Sequence, residues 1–162
     1  MSFDSDSPQA TAQFARAFAA VLRGGDIVSL EGDLGTGKTF FTAAIALALG
    51  VTVPVSSPTF TLQKIYETQT GAIRRIIHYD FYRIAQAGEL AEIGFEAPEP
   101  DTVAIAEWGD RFPQVCGEKA LRVCLEYSGV HGRHIRITIP NSRPLPQFNP
   151  NDITESQNNG DS

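Results

Sequence analysis

Asp26-Ile27-Val28-Ser29-Leu30-Glu31-Gly32-Asp33-Leu34-Gly35-Thr36-Gly37-Lys38-Thr39 is the stretch on which the reading of this chain turns. Its first six residues form a short β-rich run, and the next eight fit the spacing GxxxxGK followed by Ser or Thr. Phe40 to Leu49 then reads as a helix closed by Gly50. Strand, glycine loop and helix in that order make a device for holding phosphate. The glycines let backbone N–H groups curl around phosphate oxygens without Cβ clashes, and the helix N-terminus adds the positive end of its dipole. Lys38 brings a charge for the β- and γ-phosphates, and the Thr39 hydroxyl is placed for Mg²⁺, a cation that takes a few hard oxygens plus phosphates and water. The competing reading is a chance glycine-rich turn, and the flanking strand and helix argue against it.

Outward from this loop the pattern is that of one α/β domain. Upstream, Ser7 and Pro8 signal a helix start, and Phe14, Ala17, Phe18, Val21 and Leu22 recur at helical spacing until Gly24 and Gly25. Downstream, Phe60 to Glu67 and Ala72 to Phe81 read as an antiparallel hairpin, Ala85 to Ile93 as a short helix ending at Gly94, and Val103 to Ala106 as an apolar strand that ends on Glu107. Leu121, Val123, Leu125 and Tyr127, then Ile135, Ile137 and Ile139, alternate with polar residues and predict a second hairpin. The expected fold is a P-loop NTPase-like mixed sheet with flanking helices and antiparallel hairpins, spanning residues 1–142. The polar residues 143–162 are expected to be a disordered tail, because they cannot bury enough apolar surface to offset their ordering entropy.

Bulk properties narrow the function. At 162 residues, 42% of them hydrophobic, the chain has room for one ordinary core. A net charge of −6 lacks the basic footprint of an autonomous nucleic-acid binder, so any RNA contact has to be local or assisted. Cys116 and Cys124 have no CxxC spacing and read as reduced packing residues. No stretch approaches the roughly 18 apolar residues of a membrane span, and the acidic start lacks an apolar segment, so a cytoplasmic location is expected.

Hydrolysis needs more than the loop: a second carboxylate near the metal, and a group that positions water. Glu107, at the carboxyl end of a buried strand, suits the first role by its location; the alternative is an exposed strand-end acid. Asp80, in His78-Tyr79-Asp80-Phe81-Tyr82-Arg83, either orients water or caps the next helix. Thr59, in Ser56-Ser57-Pro58-Thr59-Phe60, is either a γ-phosphate sensor or part of a plain turn. Trp108 is a nucleotide-side or partner-facing aromatic, or core, and core is the commoner fate of a tryptophan. His131 and His134 have metal-pair spacing without a third ligand, and Lys64, Arg74, Arg75 and Arg83 give the first hairpin a basic face whose default is solvation. The Asn- or Thr-Lys-x-Asp guanine signature of GTPases is absent, which favours ATP. Two rival readings are a small P-loop metabolite kinase, which needs a lid and a phosphorylated product, and an ATP-gated binding module without catalysis.

Gly32 to Thr39, Ser57-Pro58-Thr59-Phe60, His78 to Arg83, Glu89-Leu90 with Gly94, and Glu107-Trp108 occur here in the order seen in the TsaE (YjeE) family, which the chain resembles from about Pro8 to Pro140. That resemblance implies a P-loop ATPase of bacterial threonylcarbamoyladenosine synthesis on ANN-decoding tRNAs, working with TsaD- and TsaB-like partners, its weak turnover rising in their presence. It implies that Thr39 and Glu107 hold Mg²⁺, that Thr59 belongs to a switch-like segment, and that Asp80 serves hydrolysis with Lys38 and Glu107. Asp33, Leu34, Gly35, Thr36, Gly37, Lys38, Thr39, Phe40, Thr59 and Trp108 are the residues expected to contact the nucleotide. Departures from the family pattern are Thr36 in place of Ala, Phe40 in place of a second Thr, and Gly109-Asp110 where Pro-Glu often follows the tryptophan. Phe40 is expected to face the helix packing.

Overall fold

A computed structural model describes residues 1–69 and 71–140; the expected tail lies outside the described residues. In chain order the elements are β1 (Ser2–Ser5), α1 (Pro8–Ala19), β2 (Ile27–Glu31), α2 (Lys38–Ala48), β3 (Gln63–Glu67), β4 (Arg75–Asp80), α3 (Gly88–Glu92), β5 (Thr102–Glu107), a 3-10 turn (Gly109–Arg111), α4 (Pro113–Cys116), β6 (Leu121–Ser128) and β7 (Gly132–Thr138). They build one seven-stranded sheet in the order β1-β7-β6-β2-β5-β4-β3. The inner strands β6, β2, β5 and β4 are parallel, while β3 on one edge and β7 and β1 on the other run antiparallel to their neighbours.

The period-2 alternation of the strands divides the core. Val28 and Leu30 of β2, Val103 and Ile105 of β5, Ile76 of β4 and Leu121, Val123 and Leu125 of β6 face α1 and α2, where Phe14, Phe18, Phe41 and Ile45 are buried. The intervening residues Tyr79, Ala104 and Ala106 face the other way, onto Phe81, Leu90, Phe95, Phe112 and Cys116. Tyr79, Phe81 and Phe95 pack there edge to face or tilted at 5.0–6.0 Å between ring centres.

Helix α1 starts where Ser7 accepts a bond from the Ala10 amide at 3.2 Å, with Pro8 in its first turn. Both predicted hairpins form, the first with Ile65 opposite Ile77 and the second with Leu125 opposite Ile135. The polar start of the chain, to which the sequence assigned no element, forms strand β1, paired along β7 and pinned by Phe3 stacking on Phe14 at 4.6 Å. One expectation is corrected. The helix expected over Ala85 to Ile93 shrinks to Gly88–Glu92, because the Glu89 carboxylate accepts bonds from the Ala85 and Gln86 amides and turns those residues into its cap.

Candidate functional site

Parallel pairing sets the site. Leu30 lies opposite Glu107, and Glu107 opposite Asp80, so β2, β5 and β4 end together at the carboxyl end of the inner strands, where the glycine loop begins. Glu107 shares the α2-facing side with Val103 and Ile105, and Asp80 shares it with Ile76 and His78. Helix α2 starts at Lys38, which delivers Lys38 and Thr39 to the same place. At the start of the loop, a Cβ on Gly32 would stand 2.2 Å from the Leu125 carbonyl oxygen, so only glycine lets the chain pass β6 this closely.

The resulting cleft of about 420 Å³ is lined by Leu34, Gly35, Gly37, Lys38, Thr39, Phe40, Ser57, Thr59, Asp80, Tyr82, Glu107 and Trp108. Asp33 and Thr36 complete the loop around it. Thr39 Oγ1 donates to Glu107 Oε1 at 2.7 Å, and Lys38 Nζ donates to the Gly32 and Asp33 carbonyls at 2.7 and 2.8 Å. Lys38 is buried, which pulls its pKa below that of an ordinary lysine, while the nearby charges of Glu107, Asp110, Asp80 and Asp33 work in the opposite direction. Its ammonium lies 3.8 Å from the centre of the Trp108 ring, which leans against Tyr82 at 5.0 Å. Trp108 is thus both packed against the second core and part of the cleft wall. Its left-handed backbone, φ 62° and ψ 33°, ends β5 directly after Glu107.

Asp80 does not cap the next helix, which starts at Gly88 with Glu89 accepting the Ala85 and Gln86 amides. Asp80 Oδ1 accepts the Tyr82 amide at 2.9 Å and fixes the turn after β4, while Oδ2 accepts Ser57 Oγ at 3.1 Å and Thr59 Oγ1 at 3.0 Å. The Ser57 and Thr59 oxygens lie 2.6 Å apart, so their two hydroxyl protons are shared among these three contacts. Lys64, expected on a solvated face, instead ties the same segment down through Ser56 Oγ at 2.6 Å.

Phe40 corrects the expectation that it would pack with the helix: it is 44% exposed in the cleft wall, and Phe41 takes the core position against Phe14 and Phe18. His134 bonds Asp4 at 2.6 Å, and no group of three metal-ligating His, Cys, Asp or Glu exists among the described residues. Cys116 is buried and Cys124 half-buried, both as free thiols.

Sequence reading missed His78 as a site residue. It is fully buried, its Nε2 donates to Glu107 Oε1 at 2.8 Å, and its Nδ1 has no partner. The period of a strand was the available signal, since His78 stands two residues before Asp80 and so shares its face. Arg111, which donates to the Phe81 and Tyr82 carbonyls beside the cleft, carried no such signal.

The donor set suits Mg²⁺ with a phosphate chain: two hard oxygens on Thr39 and Glu107 in contact, a lysine beside them and a loop of backbone amides. A model of the protein family described as "Threonylcarbamoyl adenosine biosynthesis protein TsaE" matches residues 5–135. The chain belongs to the TsaE family. Similar curated relatives are the tRNA threonylcarbamoyladenosine biosynthesis proteins TsaE of Rickettsia typhi, 42% identical over 65% of this chain and 72% of the relative, and of Bacillus subtilis, 33% identical over 85% and 84%. That of Treponema pallidum is 32% identical over 82% and 96%. The crystal structure of Bacillus subtilis YdiB is similar with a TM-score of 0.69 at 30% identity, covering 88% of this chain and 86% of that one. TsaE membership and the mixed sheet agree with the fold expected from the sequence. No helix among the described residues is long and apolar enough to cross a membrane.

Proposed function

We propose that this TsaE-family chain is a Mg²⁺-dependent ATPase that works in the cytoplasm with a TsaD–TsaB type complex, in threonylcarbamoyl modification of the adenosine next to the anticodon of ANN-decoding tRNAs. The observation that carries the reading is the meeting of Lys38, Thr39, Asp80 and Glu107 in one cleft at the carboxyl end of the inner strands. When bound, Mg²⁺ would neutralise phosphate charge.

The chain's own residues do the rest. Lys38 would exchange the Gly32 and Asp33 carbonyls for phosphate oxygens, and Thr39 and Glu107, already in contact, would hold Mg²⁺. Asp80 orients the attacking water. Because it also holds Ser57 and Thr59, the water-orienting acid and the segment that senses the γ-phosphate form one hydrogen-bonded unit. Nucleotide state then sets the conformation of that segment and biases association with partners, a population shift that leaves the tRNA chemistry to the partner complex. Phe40 and Trp108 wall the cleft beside the nucleotide.

The test is phosphate release from ATP with Mg²⁺, for the chain alone and with TsaD- and TsaB-type proteins added. Stimulation by the partners is expected, with Lys38→Ala losing ATP binding and Asp80→Ala or Glu107→Ala losing turnover more than binding. ATP binding without stimulation sinks the partnership, and a phosphorylated metabolite product replaces the hydrolase with a kinase. Biological activity intact in Asp80→Ala favours a binding module.

A further inference from the structure

In a phosphate-binding loop the peptide N–H groups converge on the anion, so the carbonyls must be held elsewhere. Here the carbonyl of every residue from Gly32 to Gly37 has a partner. Lys38 takes those of Gly32 and Asp33, and the Phe41 amide takes that of Gly37 at 2.8 Å. The three between them are taken by the β6–β7 hairpin. Tyr127 Oη donates to the Leu34 carbonyl at 2.9 Å, Arg133 Nε to that of Thr36 at 2.8 Å, and Arg133 Nη2 reaches that of Gly35 at 3.5 Å. The Arg133 guanidinium lies 4.5 Å from the centre of the Tyr127 ring, so the two side chains brace each other. Neither belongs to the cleft lining; both act on the loop from behind it.

We infer that Tyr127 and Arg133 are positioning residues for the phosphate cradle, fixing the Leu34, Gly35 and Thr36 peptides with their carbonyls turned from the cleft and their amides available to an anion. The physical need is specific to this loop. A peptide next to a glycine turns over at little steric cost, and a flipped peptide would present a carbonyl oxygen to phosphate in place of an N–H. The guanidinium makes a charge-assisted bond, stronger than a neutral one, and opposes that flip. The inference rests on the loop being a triphosphate site.

The experiment compares the full-length wild type with Arg133→Gln and Tyr127→Phe, measuring equilibrium binding of ATP and, by competition, of inorganic tripolyphosphate. Arg133→Gln is expected to weaken both ligands by the same factor, about tenfold, and Tyr127→Phe by about threefold, with the loss in hydrolysis falling on KM more than on kcat. Weakened ATP with unchanged tripolyphosphate overturns the inference, since the hairpin would then be touching base or sugar. Unchanged binding of both ligands also overturns it. If circular dichroism shows Arg133→Gln unfolded, Tyr127→Phe, which removes only the hydroxyl of a half-exposed side chain, decides by the same criteria. A wild type that binds neither ligand refutes the nucleotide site itself, whereas a binding wild type with indifferent variants refutes only the role of the hairpin.

Discussion

Replacing His78 with Phe separates the fold from the proposed Mg²⁺ site, because the two effects of the substitution on stability nearly cancel. Loss of the Nε2–H to Glu107 removes a bond to a charged group, worth about 1.5–3 kcal/mol. The same substitution deletes Nδ1, a buried polar atom with no partner, whose desolvation costs about 1–3 kcal/mol. The ring stays in the aromatic contact with Tyr66, whose centre is 6.5 Å away. Stability in urea should therefore change by no more than about 2 kcal/mol in either direction. The site should respond far more strongly. Glu107 would retain only Thr39 as an orienting partner, and loss of such a group behind a metal ligand weakens metal affinity by about 10–100-fold. The assay is ATP hydrolysis over a Mg²⁺ titration, with nucleotide binding followed over the same series. A half-saturating Mg²⁺ concentration within about threefold of wild type would refute the reasoning, since a group worth orienting contributes at least tenfold.

Three further outcomes follow from the packing. Gly109→Ala places a Cβ 2.3 Å from Ser29 Oγ and should cost about 1–3 kcal/mol in urea denaturation; Ser29→Gly should restore most of that loss, because the close atoms belong largely to the serine side chain. Phe41→Ala, at a fully buried position between Phe14 and Phe18, should cost about 3–5 kcal/mol, whereas Phe40→Ala next to it should leave stability within about 1 kcal/mol and change nucleotide binding instead. Burial, with the charges of Glu31 and Asp110 adding to it, pushes the Cys116 thiol up to about 11. A raised thiol pKa means less thiolate at any given pH, so at pH 8 only about one molecule in a thousand carries it, and iodoacetamide monitored by mass spectrometry should modify the more exposed Cys124 first. Equal labelling rates in the folded protein would contradict that burial.

The parts of the fold that were legible lie within short stretches of chain. The strand, glycine loop and α2 are contiguous, and the hairpins declare themselves by alternation around short turns. What the sequence left open was long-range pairing. Nothing in Leu121 to Tyr127 says that this strand lies beside β2, and Ser2 to Ser5 offers a single apolar side chain, Phe3, to mark β1. Asp80 and Glu107 were legible because both end strands, yet their direct opposition depends on the parallel register of β4 and β5. The choice between Phe40 and Phe41 as core residue turned on one step of helical phase, about 100°. Tyr127 and Arg133 act on peptide carbonyls 93 and 97 residues away, through bonds that any loop could accept, so their pattern carries no local mark.

Trp108 is the only tryptophan in the chain, and its ring lies 3.8 Å from the Lys38 ammonium. The indole emission of the whole protein therefore originates at one wall of the cleft. A ligand that draws Lys38 towards phosphate removes a cation from the face of that ring, and the colour and intensity of its fluorescence follow the lysine. The unmodified protein thus carries its own optical gauge, able to time the arrival and departure of a nucleotide with no label attached.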